Sequence, residues 1–314
     1  MLRLLRALLR QAPRSVTTHN RRRLPPLSSP PRPMKLSVRL PALLFCLASM
    51  EATAIPDVDL HHIVRLEGHG PRTVILEAGL GDTMEVWKDI QPRIAAGCTR
   101  TLAYNRAGYM GSDPAIGPRD SQTIVAELRA ELKRRNIEPP YVLVGHSLGG
   151  LYMQYFARNY PKEVAGLLLV DSTNWHQGMT INTSANTPYS GRTAVTLFMP
   201  WIMRREITDS AVAGQQVHAS PQAESFPTVV LSSTLAPTGE TPATRALSAD
   251  MQDEIVADFP SASHVRVADS GHYIQRDQPA VVVDAARQLA GCAAATDPPT
   301  AATDHTRAQR YSNP

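Results

Sequence analysis

"YVLVGHSLGGLYMQYFARNYP" (residues 141–161) joins an apolar run directly to a helical pattern. The run at 141–146 is apolar at almost every position, which is typical of a strand buried on both faces of a sheet. The next residues, GHSLG (145–149), fit the pattern G-x-S-x-G, in which a serine occupies a strained turn between a strand and a helix. Such a turn exposes the hydroxyl at a helix N-terminus, where the helix dipole favours a developing anion. The stretch therefore predicts Ser147 as a nucleophile.

Strand and helix patterns alternate on both sides of this stretch. A helix at 120–136 is predicted by apolar residues spaced three and four apart and by Asp120 as its N-cap. This alternation is typical of an α/β fold, with a mostly parallel central sheet and helices on both faces. The predicted strands lie at 59–66, 73–78, 100–105, 141–146, 166–171, 228–233 and 264–269, and further helices near 83–96 and 277–290.

The segment 172–226 interrupts the alternation. It is too long for a loop inside a compact domain, and its apolar and aromatic residues are too dense for a disordered insertion. We therefore predict a sheet domain at 55–291 that carries a small, partly helical cap at about 172–226. The end of the chain, 292–314, is rich in Ala, Thr and Pro, which predicts a disordered tail.

Residues 1–54 have the character of a targeting region. The stretch at 34–54 has a basic start, an apolar centre and a small-residue end at Ala54, as in a secretory signal peptide. Its apolar centre is shorter than the ~20 residues that a membrane-spanning helix needs, so no span is expected in the mature chain. The Arg-rich stretch before it, which lacks acids, also fits a mitochondrial transit peptide. We predict a periplasmic or secreted protein, with a mitochondrial location as the alternative.

Charge and cysteine content narrow the class of protein further. The net charge is +4, but residues 1–54 carry +9, so the remainder carries −5 and lacks the basic surface of a nucleic-acid-binding domain.

Cys98 and Cys292 lie outside the targeting region. In an oxidising compartment they could form a disulfide, or they could be two independent buried thiols, because sequence does not fix pairing. No Cys/His cluster has the spacing of a zinc site, so no metal is predicted.

Three further motifs, together with GHSLG, make the chain resemble the α/β-hydrolase superfamily over about residues 57–290. LEAGLGD (76–82) stands where that family has its first oxyanion loop. AYNRAGYMGSDP (103–114) is similar to the family's D-R-x-G-x-G-x-S, with Asn105 where Asp is usual. DSGHYIQRDQP (269–279) resembles its C-terminal histidine loop. The resemblance implies a serine hydrolase similar to single-domain bacterial esterases and peroxidase-like enzymes.

A serine hydroxyl needs a base to take its proton, and the base needs an acid to orient it. His272 is the predicted base, because its loop follows the last predicted strand and the order Ser, acid, His is the order this fold uses. The acid has two candidates. Asp171 ends a strand at the carboxyl edge of the sheet, where such sites assemble, whereas Glu240 lies well past the end of its strand. We favour Asp171.

An oxyanion hole needs two backbone N–H donors close to the developing charge. Leu148, which follows the nucleophile, is predicted to supply one, and Leu80 in AGLGD the other. The AGLGD segment lacks the third glycine of a dinucleotide fingerprint, so no nucleotide cofactor is predicted.

The sequence as a whole predicts a cofactor-free carboxylic-ester hydrolase that works through an acyl-enzyme. The apolar cap composition predicts a small to medium hydrophobic ester as the substrate. The alternatives are an aminopeptidase, a cofactor-free peroxidase-type enzyme, and an inactive hydrolase fold used for binding. The oligomeric state is left open.

Overall fold

The computed structural model describes residues 60–177, 199–236 and 241–292. These residues contain seven strands in a single sheet, with the order β1-β3-β2-β4-β5-β6-β7. Only β1 runs antiparallel, against β3, and every other pair is parallel. The predicted α/β fold with a mostly parallel sheet is therefore confirmed. The strands are β1 Val64–Gly68, β2 Thr73–Glu77, β3 Arg100–Tyr104, β4 Tyr141–His146, β5 Val164–Val170, β6 Thr228–Ser233 and β7 Ala262–Val267.

Helices connect the parallel strands, as the alternation predicted. The predicted N-cap is confirmed at Asp120, whose Oδ1 accepts a hydrogen bond from the Thr123 amide at 2.9 Å. The α-helices are α1 Gln91–Ala95, α2 Ser121–Arg134, α3 Leu148–Asn159, α4 Trp201–His218, α5 Pro242–Ala257, α6 Ile274–Asp277 and α7 Pro279–Leu289. Short 3-10 turns occupy Met84–Trp87 and Pro161–Glu163.

The hydrophobic core has two layers, one on each face of the sheet. Leu143 in β4 points into the layer formed with α2, α3 and α4, whereas its neighbour Val142 points into the layer formed with α1 and α7. Successive side chains of a strand face opposite sides, so a strand covered on both faces must be apolar throughout. This explains why the run at 141–146 is apolar at almost every position.

Several predicted elements have different boundaries in the structure, and three of them are instructive. The first strand begins at Val64 and not at 59, because the backbone of His61 and Ile63 bonds to the loop after β3 instead. The helix expected near 83–96 is a 3-10 turn followed by the short α1, and Pro92 near its start has no N–H with which to continue a helix from Lys88. The last strand ends at Val267, two residues earlier than predicted.

Helix α5 was not predicted. Its start signals are present in the sequence: Thr241 accepts a hydrogen bond from the Thr244 amide, and Pro242 occupies the first turn, where its missing N–H costs nothing. Its buried face is narrow, with Met251 and Ile255 as its buried residues. A pattern so weakly amphipathic gives little periodic signal.

Part of the predicted cap is described by the structure. Helix α4 packs Ala213 and Val217 into the core beside α2 and α3. At Gly214 the helix touches the backbone of Trp175 so closely that any β-carbon would overlap its carbonyl oxygen. Residues 178–198 of the cap lie outside the described residues, as do the targeting region and the tail beyond Cys292. The domain boundaries therefore stay predictions.

Cys98 and Cys292 form a disulfide, with their α-carbons 5.8 Å apart. The bond joins the residues just before β3 to the end of α7, across a sequence separation of 194 residues. Of the two alternatives that the sequence left open, the structure contains the bridge. Within the described ranges, no helix is both long and apolar enough to cross a membrane.

Candidate active site

Ser147 occupies the turn between β4 and α3. Its backbone is left-handed, with φ 52° and ψ −124°, a conformation that residues other than glycine rarely adopt. Sheet hydrogen bonds hold it there: its amide donates to the Val170 carbonyl at 3.1 Å, and its carbonyl accepts from the Thr173 amide at 3.0 Å. The bend needs glycine at 145, since a β-carbon there would lie 2.6 Å from the α-carbon of Gly150. The structure thus has the strained strand–helix turn that the motif predicted.

Asp171 follows directly after β5, the strand next to β4. One carboxylate oxygen accepts from the Ser233 amide at 2.9 Å, and the other accepts from the Ser233 hydroxyl at 3.1 Å and from Nδ1 of His272 at 2.7 Å. Burial alone would raise the pKa of Asp171, but the bonds from His272 and Ser233 outweigh burial and leave that pKa below its ordinary value. The carboxylate is therefore ionised at neutral pH and oriented toward the imidazole.

His272 lies in the loop between β7 and α6, and its side chain is 44% exposed. Two hydrogen bonds fix this loop: the Gly271 amide donates to Asp277 at 2.8 Å, and Nε2 of His146 bonds to the His272 carbonyl at 2.9 Å. Burial, together with the nearby His272, lowers the pKa of His146 to about 3. The His146 ring is therefore neutral at any ordinary pH, and it holds the His272 loop through this hydrogen bond.

The structure brings the favoured acid and the predicted base together. Asp171 and His272 are in direct contact although 101 residues separate them in sequence. The other candidate acid, Glu240, lies outside the described residues. The pairing depends on Ser233, which donates to both oxygens of Asp171 and was not predicted. Its position at the carboxyl end of β6, beside β5, is the signal that could have identified it.

The predicted oxyanion residues border the serine on two sides. Leu148 is the first residue of α3, so its amide has no acceptor within the helix. The loop that contains Leu80 lies against the turn, since a β-carbon built on Gly79 would be 3.2 Å from the Ser147 β-carbon. Both predicted donors thus belong to segments that lie beside Ser147, and their role in an oxyanion hole stays a prediction.

Residues 69–285 match the sequence profile of the alpha/beta hydrolase family. The chain belongs to this family. Its fold is similar to that of a thermophilic esterase from Thermogutta terrifontis, with a TM-score of 0.51 and 17% identity over 73% of this chain and 92% of the esterase. A hydrolase from Pseudomonas aeruginosa is similar to the same degree, with a TM-score of 0.51 and 16% identity over 75% and 99% of the two chains. At these identities the likeness concerns the fold alone.

Sequence relatives of this α/β hydrolase match over shorter stretches. A Bacillus subtilis protein, YqjL, is 31% identical over 124 residues, which are 40% of this chain and 49% of YqjL. An AB hydrolase superfamily protein of Gibberella zeae is 29% identical over 123 residues, 37% and 38% of the two chains. The hydrolase therefore spans half or less of the length of these relatives.

A cavity of about 390 Å³ opens beside Ser147, Asp171 and His272 in this α/β hydrolase. Its far wall comes from β6, β7 and α5. In the described part of the chain, Asp171 is the one carboxylate among its lining residues, whereas two arginines reach it. No group of three or more His, Cys, Asp or Glu within the described ranges could hold a metal ion. The polar side chains of the far wall are Ser232, Ser233, Thr234, Arg245, Ser248, Gln252, His264 and Arg266.

Proposed function

We propose that this chain is a serine hydrolase that cleaves carboxylic esters through an acyl-enzyme. The observation that carries the proposal is the hydrogen bond between Asp171 and Nδ1 of His272, beside a cavity that Ser147 also lines. A carboxylate bound at Nδ1 keeps the proton there and leaves Nε2 free to act as a base. The strained turn holds the Ser147 hydroxyl at the N-terminus of α3. The helix dipole there favours the negative charge that develops when the hydroxyl attacks a carbonyl group.

The reaction would proceed in two steps. Ser147 Oγ bonds to the ester carbonyl carbon while its proton passes to Nε2 of His272, and the amides of Leu80 and Leu148 stabilise the resulting oxyanion. The bond between the carbonyl carbon and the alcohol oxygen then breaks, and His272 gives its proton to that oxygen. In the second step, His272 takes a proton from a water molecule, which attacks the acyl-enzyme, and the acid leaves as Ser147 recovers its proton.

The alternatives differ in what the cavity would have to provide. An aminopeptidase needs an acidic group for the substrate amine, and the single carboxylate of the described wall, Asp171, is already bound to His272. An inactive binding protein would be expected to lack a member of the triad, and the contact between Asp171 and His272 argues against this alternative. Peroxidase-type chemistry uses the same three residues and stays an alternative.

We expect a fluorophosphonate probe to label Ser147, because an activated serine attacks the probe's phosphorus atom. Labelling should be abolished in Ser147→Ala and retained in Ser248→Ala, which removes a different hydroxyl from the same cavity. Intact-protein and peptide mass spectrometry would locate the adduct. A folded wild-type chain that takes no label would overturn the proposed function.

Arg245, in the described wall, favours an ester that ends in a carboxylate over the hydrophobic ester expected from the composition of 172–226. We expect monoethyl glutarate, with its terminal carboxylate, to be hydrolysed with a kcat/KM at least about tenfold above that of ethyl pentanoate, since a charge-assisted hydrogen bond contributes ~1.5–3 kcal/mol. Arg245→Gln should reduce this preference by removing one cationic group of the wall. Release of acid at constant pH measures both rates. A preference for ethyl pentanoate would restore the hydrophobic ester as the substrate class.

A further inference from the structure

A buried cluster of charged groups lies under the loop that contains Leu80. Arg106 forms ion pairs with Glu77, at 2.6 Å, and with Glu206, at 2.8 Å, and all three side chains are at most 2% exposed. Burial alone would lower the pKa of Arg106, but Glu206, Tyr109 and Glu77 hold that pKa well above its ordinary value, so the guanidinium stays charged. Apolar side chains of similar volume would often be no less stabilising at such a place. Stability alone therefore does not explain why the buried residues of this cluster are charged.

The cluster binds the backbone of the loop directly. Arg106 donates from Nη1 to the Ala78 carbonyl at 2.7 Å and from Nη2 to the Gly79 carbonyl at 2.9 Å. Tyr109 accepts a hydrogen bond from the Gly81 amide at 3.0 Å and donates its own proton to Glu206 at 2.6 Å. Contacts to the cluster thus fix the backbone on both sides of Leu80.

These contacts determine the direction of the Leu80 N–H group, because a peptide unit is planar. The Gly79 carbonyl and the Leu80 amide belong to the same planar trans peptide, so they point in opposite directions. Arg106 fixes the orientation of that carbonyl, and therefore also fixes the orientation of the Leu80 N–H. The next peptide, between Leu80 and Gly81, is fixed in turn by Tyr109.

Glu206 connects helix α4, which lies in the predicted cap, to the buried charged cluster. It is fully buried in α4 and binds both Arg106, at Nε and Nη2, and Tyr109. Met203, one turn earlier in α4, packs against Gly81, because a β-carbon built there would lie 2.6 Å from its methyl carbon. Helix α4 therefore contacts the loop both through the charged cluster and by direct packing.

We propose that Arg106, Tyr109 and Glu206 are positioning residues that aim the Leu80 N–H at the oxyanion, and that α4 thereby sets the geometry of the hole. The inference rests on the proposed function, because it assigns Leu80 as an oxyanion donor. None of the three residues touches the reacting atoms. Their contribution is to hold a backbone donor in place before the substrate arrives, which avoids reorganisation during the reaction.

The test compares Tyr109→Phe and Glu206→Gln with the wild type. Either variant should lower kcat for p-nitrophenyl acetate by about tenfold and change KM by less than about threefold, since removing an oxyanion donor outright costs about 10²–10³ in kcat and a displaced donor is a partial loss. Hydrogen–deuterium exchange of the peptide spanning 76–84 should rise in both variants, because the backbone on one side of Leu80 is released.

Tyr104→Phe is the matched control. Tyr104 donates to Glu77 on the opposite side of the same buried cluster, and no hydrogen bond of the described structure joins it to residues 78–81. Its loss should leave kcat and loop exchange at the wild-type level. The inference is overturned if Tyr109→Phe exchanges as slowly as the wild type, if the loop opens without a fall in kcat, or if Tyr104→Phe is equally impaired. A wild-type chain that is neither active nor labelled by fluorophosphonate would refute the proposed function separately, and loop exchange would still decide whether the cluster holds the loop.

Discussion

Asp171→Asn should lower the kcat for ester hydrolysis by about 10⁴-fold and leave KM within a few-fold of the wild-type value. An asparagine at 171 can still accept the Ser233 amide through its oxygen. Its NH₂ group then faces Nδ1 of His272, which must become an acceptor. The imidazole proton moves to Nε2, so that nitrogen has no lone pair with which to take the Ser147 proton.

Two controls separate this effect from damage to the fold. Asp253→Asn changes another carboxylate near the cavity, one that pairs with Arg266 and His264, and should leave kcat near normal. Glu240→Gln should do the same, because Asp171 already occupies Nδ1 of His272. Single-turnover and steady-state assays on variants with unchanged circular dichroism provide the measurement. A large loss in Glu240→Gln with little loss in Asp171→Asn would assign the acid to Glu240.

Removal of the disulfide between Cys98 and Cys292 should cause the second large effect, a fall in the free energy of unfolding. A bond that closes a loop of 194 residues restricts the unfolded chain strongly, and chain-entropy reasoning gives about 5 kcal/mol of unfolding free energy. The double variant Cys98→Ser/Cys292→Ser should lose most of this amount. The helix and strand that the bond joins also pack in the same core layer, so the folded structure should persist at 25 °C.

Urea denaturation followed by tryptophan fluorescence would measure the loss as a fall in the transition midpoint. Wild-type protein unfolded in the presence of a thiol reductant should show the same midpoint as the double variant. A matched substitution of an exposed serine, Ser261→Ala, controls for the effect of mutation itself. A loss below about 1 kcal/mol would mean that the denatured chain keeps these residues close without the bond.

The parts of the site that follow from local pattern could be predicted from sequence. Ser147 is marked by glycines that its own turn requires, and Asp171 by its place at the end of a buried strand. Parallel strands end at one edge of the sheet, so residues that end adjacent strands meet there whatever their separation along the chain. The same logic makes His272 a candidate without any knowledge of its contacts.

The buried cluster has only half of such a signal. Arg106 and Tyr109 lie in the AYNRAGYMGSDP motif, but Glu206, 100 residues after Arg106, resembles an ordinary charged residue of a helix. Helix α4 was predicted only as part of a partly helical cap, and nothing in its composition places Glu206 against the loop that follows β3. Their pairing follows from how α4 packs on α2 and α3, which is tertiary information. The polar wall of the cavity was missed for the same reason, since α5 itself was not predicted.

Two of the three residues of the proposed triad have backbones that L-amino acids avoid: Ser147 at φ 52° and Asp171 at φ 43°. Each such conformation costs about 1–3 kcal/mol, and sheet hydrogen bonds to the Val170 and Leu231 carbonyls compensate for it. Selection for thermal stability alone would favour glycine at 147 and glycine or asparagine at 171, and either change would remove the chemistry. Stability and turnover are therefore opposed at these two positions, and thermostable variants of this protein should be sought elsewhere in the chain.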